Sequence, residues 1–236
     1  MPDFVSTGLN KSTHNIGRER GERGTKRAMA WSLFDSHGRR KYLVPRERKR
    51  FLEAALAVGG KTASLCAVLA FCGPRISEAL ALTPDAIDDG NCAINFLTLK
   101  RRSTVIRATP VPRAMLDLLD AVHGYREASA DPVRRTERLW PFSRTTAWRR
   151  VRRILTAVDI AGHQASPKSL RHAFGAAGTL NGVSLAMIQK WLGHADVRTT
   201  TIYSTVIGRE ERTLARHVWK DLIGALQEQN DLTQRD

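Results

Sequence analysis

Four short segments carry side chains suited to phosphate chemistry. Gly73-Pro74-Arg75-Ile76-Ser77-Glu78-Ala79-Leu80 sets an arginine three residues ahead of a carboxylate. Lys100 heads a basic run with Arg101 and Arg102. Ser166-Pro167-Lys168-Ser169-Leu170-Arg171-His172 supplies a second arginine, and Leu192-Gly193-His194 is followed nine residues later by Tyr203. A hydroxyl that attacks a phosphodiester needs the target oxygens held by fixed cations. The five-coordinate transition state carries about two negative charges where the diester carries one. Arginine suits that task because its planar fork offers paired donors and never loses its charge. Two arginines and a histidine on one phosphate leave no need for a metal, and no acidic cluster with ligand spacing lies near these motifs. Neither a metal nor a cofactor is expected.

The whole chain fits an anionic partner. Its 236 residues hold 38 Lys and Arg against 23 Asp and Glu, a net charge of +15. Such an excess points to a polyanion, DNA or RNA before an anionic membrane surface. Few helices here pair a basic face with exposed Trp or Leu, as a membrane surface would want. Hydrophobic residues at 42% exclude a wholly disordered chain. No run approaches the ~20 apolar residues that span a bilayer, and the N-terminus has no signal pattern. Cys66, Cys72 and Cys92 are too few and too irregularly spaced for a zinc site or a disulfide framework. The chain reads as soluble and cytoplasmic, with Cys66 and Cys72 as buried thiols.

The elements that must position these residues are mostly helices. Residues 1–41 read as a basic, flexible tail with three glycines between Gly17 and Arg27, and Trp31, Leu33 and Phe34 as a small docking segment near its end. From residue 42 to 236 the pattern is that of one domain. Pro45 opens a helix with the stripe Phe51, Leu52, Ala55 and Leu56, and Gly59-Gly60 ends it. Lys61–Phe71 is apolar on more than one face and reads as a buried helix. Gly73-Pro74 breaks it, with Pro74 starting the next. Cys92–Leu99 and Val105–Val111 form a β-hairpin with a basic tip. Helices follow with the faces Met115, Leu118, Leu119, Val122 and Trp148, Val151, Leu155, Val158. Ser166 and Ser184 cap two more, which Asn181-Gly182 and Gly193 stop. A last stripe is Leu214, Val218, Leu222 and Leu226. The fold class is therefore mainly α with a small antiparallel β-hairpin or sheet (α+β).

In order and spacing, the arginine at a helix start, the hairpin lysine, the LRH motif, LGH and the tyrosine resemble the catalytic domain of the tyrosine recombinases, the phage integrase family. The resemblance runs from about Tyr42 to about Trp219. It implies a metal- and ATP-independent recombinase that cuts and rejoins duplex DNA through a 3′-phosphotyrosine. Arg75 and Arg171 would hold the non-bridging oxygens, Lys100 would protonate the departing 5′-oxygen, His194 would hydrogen-bond the phosphate, and Tyr203 would attack. Glu78 would brace Arg75. Lys168 stands where the family usually has histidine; lysine is the poorer base near neutrality unless its pKa is lowered, so either Lys168 works mainly as a phosphate ligand or proton removal from Tyr203 is assisted differently. The resemblance further implies a homo-tetramer on synapsed sites, coupled by the segment after the nucleophile, and accessory DNA-bending proteins. The short, nearly all-catalytic form is similar to the fimbrial-type DNA invertases.

Each residue alone has a plainer reading. Arg75 and Glu78 make a surface salt bridge, His194 favours a helix dipole, Tyr203 packs, and Lys100 is solvated. The order of the whole set outweighs these. His172 reads as a support or core residue and His163 as a loop residue; a zinc site from His163, His172 and His194 lacks ligand spacing. Arg149, Arg150, Arg152 and Arg153, with Arg101 and Arg102, read as DNA-backbone contacts without base specificity. The alternative functions are a non-catalytic DNA-binding regulator, built on a helix-turn-helix in 184–203, or an inactive recombinase relic.

Overall fold

The apolar stretch between Gly59 and Gly73 becomes the central helix. In a computed structural model, which describes residues 33–98, 105–194 and 200–205, this helix, α2 (Gly60–Cys72), has nine buried residues, among them Leu65, Cys66, Val68 and Leu69. A fully buried leucine or valine is worth about 1.5–3 kcal/mol, so a helix apolar all round belongs inside. Helix α1 (Pro45–Val58) lies against it. Pro45 starts α1, and the Glu47 carboxylate accepts the Val44 N–H at 2.9 Å. Phe51 and Ala55 are fully buried, whereas Leu56, expected in the same stripe, is 46% exposed. Only Gly59 separates α1 from α2, and its φ of 73° allows the chain to turn back within one residue.

Gly73 ends α2 in the left-handed region, φ 59°. The next helix, α3 (Ile76–Ala79), is one turn long and starts two residues after Pro74. Arg75 is its extended N-cap, because the Glu78 carboxylate accepts the Arg75 N–H at 2.9 Å. The hairpin is a three-stranded antiparallel sheet in the order β1 (Ile87–Asp88), β2 (Ala93–Leu97), β3 (Ile106–Pro110). The β2–β3 register pairs Ala93 with Pro110 and Leu97 with Ile106, and the Thr98 N–H reaches Val105 O at 2.9 Å. Its tip, with Lys100, Arg101 and Arg102, lies outside the described residues.

Four helices complete the α+β fold around α2: α4 (Arg113–His123), α5 (Tyr125–Ala130), α6 (Arg144–Ala157) and α7 (Pro167–Leu180). Helix α8 (Leu185–Leu192) packs on α7 and β3. Ser143 and Ser184 cap α6 and α8 through Thr146 N and Met187 N. Ser166 stands at the N-cap of α7 without a side-chain cap bond; its hydroxyl donates to His163 O instead. Leu33 is 1% exposed and Phe34 bridges Arg40, so the packed unit reaches back past residue 42 to Leu33. The Gln164 side-chain amide fixes that segment: its Nε2 donates to Arg40 O at 3.1 Å and to Tyr42 O at 3.2 Å. The preceding tail and the stripe Leu214–Leu226 lie outside the described residues. Cys66 and Cys72 are buried thiols, each pushed up to about 12 by burial. Among the described residues, no helix is long and apolar enough to cross a membrane.

Candidate active site

Glu78 organises the first half of the site. It is 1% exposed, and both carboxylate oxygens are engaged. Oε1 accepts from Arg75 Nη1 at 2.6 Å, and Oε2 accepts from Arg107 Nη2 at 2.7 Å besides the Arg75 N–H. Burial alone would push this acid up, but Arg107 and then Arg75 hold it below the usual carboxylate range. The Arg75 side chain remains 27% exposed. Its guanidinium is braced on one edge and open to a ligand on another.

Arg107 has no part in the sequence expectations. It projects inward from β3, 5% exposed, over the Phe96 ring at 5.0 Å. Its Nε donates to Trp191 O at 2.7 Å and its Nη1 to Thr98 Oγ1 at 3.2 Å. One side chain thus ties the sheet to the Arg75 turn and to the end of α8. The signal is a strand with inverted polarity: Ile106 faces out at 67% exposure while Arg107 and Thr109 face in.

Arg171 arrives from the second turn of α7, 7% exposed. Its Nη1 donates to Gly73 O at 2.9 Å and its Nη2 to Leu192 O at 2.7 Å. Those carbonyls end α2 and α8, so the fork is aimed by two helix C-termini. Burial, then the neighbouring Arg75 charge, lowers Arg171 to about 10, still charged at neutral pH. Gly73 is required here. A Cβ on it would stand 2.9 Å from Phe174 Cβ and 3.1 Å from Leu192 Cδ2.

Gly193, φ 65°, turns the chain out of α8 and sets His194 into the same cluster. His194 is 8% exposed, with Nδ1 2.9 Å from Thr200 Oγ1. Burial, then Arg171 and Arg75, holds it down to about 3, so the imidazole is neutral. Tyr203, in the 3₁₀ turn Thr201–Thr205, is fully buried. Its ring lies parallel to that of His194, centroids 6.2 Å apart. Its hydroxyl lies 3.5 Å from His172 Nδ1, a distance at the edge of hydrogen bonding. Burial pushes the phenol up to about 12, against the pull of Arg171. His172 is thus buried, and it faces the tyrosine. Burial, then Lys168, Arg171 and Lys41, lowers it to about 3.

Lys168 is exposed on the first turn of α7. Packing around its stem, then the Lys41 charge, lowers its pKa, though water screens much of that effect at an exposed site. The structure therefore gathers Arg75, Glu78, Arg171, His194 and Tyr203 in one place, with Lys168 on the flank beside His172. His163 is exposed in the 3₁₀ turn Gly162–Gln164, and among the described residues no three His, Cys, Asp or Glu side chains form a metal-binding group. Arg149, Arg150, Arg152 and Arg153 are all exposed on α6. Arg152 stacks over Trp148 at 5.1 Å, and Arg150 over Phe142 at 4.1 Å.

Residues 41–208 match the model of the phage integrase family. The chain belongs to the phage integrase family. Tyrosine recombinase XerD of Pseudomonas putida is 28% identical over 168 residues, 68% of this chain and 55% of that protein. Tyrosine recombinase XerC of Agrobacterium fabrum is 27% identical over 149 residues, 63% of this chain and 47% of that protein. The chain thus spans about half the length of these relatives. Among solved structures, the XerA recombinase matches with a TM-score of 0.59 and 26% identity, covering 76% of this chain and 64% of that one. The catalytic domain of bacteriophage HP1 integrase matches with a TM-score of 0.56 and 21% identity, covering 75% of this chain and 92% of that domain. The fold of this phage integrase family member is that of tyrosine recombinase catalytic domains.

Proposed function

We propose that this chain is a site-specific recombinase that cuts and rejoins duplex DNA through a covalent 3′-phosphotyrosine. The observation that carries the reading is the convergence of the Arg75 and Arg171 guanidinium groups with His194 around Tyr203. The arginines hold the non-bridging oxygens and the neutral imidazole of His194 donates a further hydrogen bond. The Tyr203 hydroxyl gives its proton to solvent water and its oxygen bonds to phosphorus as the bond to the 5′-oxygen breaks, and that 5′-oxygen takes a proton from Lys100. Lys168 acts on the flank of the same phosphate. Religation runs the same step backwards, so no nucleotide is consumed. Exposed arginines on α6, with Arg101 and Arg102, grip neighbouring phosphates, which would make binding steeply salt-dependent. The basic segment ahead of Leu33 adds to that grip beside the catalytic domain. A homo-tetramer on two synapsed duplexes, joined through the segment holding Leu214–Leu226, would allow strand exchange between the two sites, with accessory DNA-bending proteins as further partners.

The test is a nicked suicide duplex carrying the cognate site, sought in the DNA flanking the gene. Wild type should become covalently attached, and Tyr203→Phe should not. Binding without attachment by the wild type would point instead to the regulator reading.

A further inference from the structure

Helix α7 has a glycine in its interior that no turn requires. Gly175 lies mid-helix between Pro167 and Leu180 and is not among the glycines with positive φ. Glycine there is the costliest choice after proline, because it loses the most backbone freedom. A packing reason is therefore needed, and the structure supplies one. A Cβ on residue 175 would lie 2.5 Å from Tyr203 Cε1 and 2.6 Å from Cε2, and nearer still to Cζ. Real Cβ atoms essentially never come so close. The hydroxyl end of the ring lies flat on bare backbone, His194 lies parallel to it, and His172 Nδ1 faces the hydroxyl. Leu33, Ala176, Ile188 and Leu192 complete the apolar surround.

We propose that Gly175 is a positioning residue for the nucleophile: its missing side chain makes the seat on which the Tyr203 ring rests, hydroxyl toward His172, in the DNA-free protein. A fully buried phenol cannot meet a phosphate on an outside duplex, so the ring leaves this seat to attack. That Tyr203 is a nucleophile rests on the recombinase reading; the seat does not. Burial raises the phenol further above its ordinary value, which agrees with a storage position.

The experiment is nitration of the full chain with tetranitromethane, mapped by mass spectrometry. The chain has three tyrosines. Partly exposed Tyr42 serves as the internal reference. In the wild type Tyr203 should react about tenfold more slowly than Tyr42, and Gly175→Ala should abolish most of that protection. Gly178→Ala is the control. Its Cβ would press on Ile188 Cδ1 at 3.0 Å, tight packing on the same helix that meets a wall of the surround and not the Tyr203 ring itself. It should leave Tyr203 protected. A second measurement covers poor folding of the single variant: Gly175→Ala should lower Tm in the wild type but not in a Tyr203→Ala background. Unchanged protection in a folded Gly175→Ala chain, equal exposure in Gly178→Ala, or the same Tm loss in both backgrounds would overturn the proposal. The suicide duplex separates the two readings. Nitration that responds as expected, with no adduct from either protein, leaves the seat standing and removes the recombinase. An adduct from the wild type, with Gly175→Ala nitrated like wild type, does the reverse.

Discussion

Arg107→Met tests how the site is held together. Methionine keeps the bulk of the stem and deletes the guanidinium. In the folded chain this leaves the buried Glu78 carboxylate with Arg75 as its one ion-pair partner among the described residues and strips donors from Trp191 O and Thr98 Oγ1. Breaking a buried ion pair from one side costs about 3–5 kcal/mol. A domain holds about 5–15 kcal/mol in all, so the variant should lose about a fifth of its stability or more. The pH dependence carries the signature. Glu78 sits below the ordinary value of 4.5 in the wild type. Its contribution is therefore present above that value and is lost as pH falls through the folded one. Without the Arg107 charge the Glu78 carboxyl rises and the folded variant can take up the proton. The wild-type advantage should be largest at pH 7 and narrow by pH 4. The buried histidines act on both proteins alike and cancel in the difference. Urea denaturation followed by circular dichroism at the two pH values measures this. A gap below about 1 kcal/mol at pH 7, or one that does not narrow, would refute the reasoning.

Other outcomes follow from the same geometry. His172 and His194 lie near 3 in the folded chain against an ordinary 6.5, so the unfolded chain binds protons first as pH falls. Stability should drop below pH 6.5 and keep dropping toward 3, by about 2 kcal/mol per histidine at pH 5; urea midpoints that match at pH 7 and pH 5 would contradict their burial. Gly73→Ala forces a side chain onto φ 59° and against Phe174 and Leu192, and should cost about 1–3 kcal/mol by thermal melting. Arg171→Lys cannot span Gly73 O and Leu192 O, and the rate of adduct formation should fall about 10²–10³-fold, as for loss of a transition-state donor. Arg149→Ala, Arg152→Ala and Arg153→Ala together should flatten the salt dependence of DNA binding by about 0.9 in log–log slope for each phosphate no longer neutralised, read by fluorescence anisotropy.

The sequence was most legible where local rules dominate. Gly73 and Gly193 stop helices in the left-handed region, Ser184 caps, and the spacing of Arg75 and Glu78 makes the ion pair it suggests. The apolar run in α2 is buried because it has no polar face to offer water. What stayed hidden depends on distant chain. Arg107 looks like one more surface charge in a basic protein, until β2 sets Phe96 beneath it and α3 and α8 bring it a carboxylate and a carbonyl. Strand β1 is two residues long and has no pattern of its own. Leu56 belongs to a helical stripe but faces out, because the one-residue turn at Gly59 covers only one side of α1. Leu33 looks like part of a tail, and its burial comes from packing with α7, α8 and Tyr203.

In the proposed reaction the oxygen of Tyr203 takes the scissile phosphate. Proteolysis of the adduct formed on a nicked duplex, followed by mass spectrometry of the DNA-linked peptide, tests it directly. The expected result is the 3′-phosphate on the peptide that contains Tyr203. A link to any other residue, or to the 5′ end of the broken strand, would contradict it.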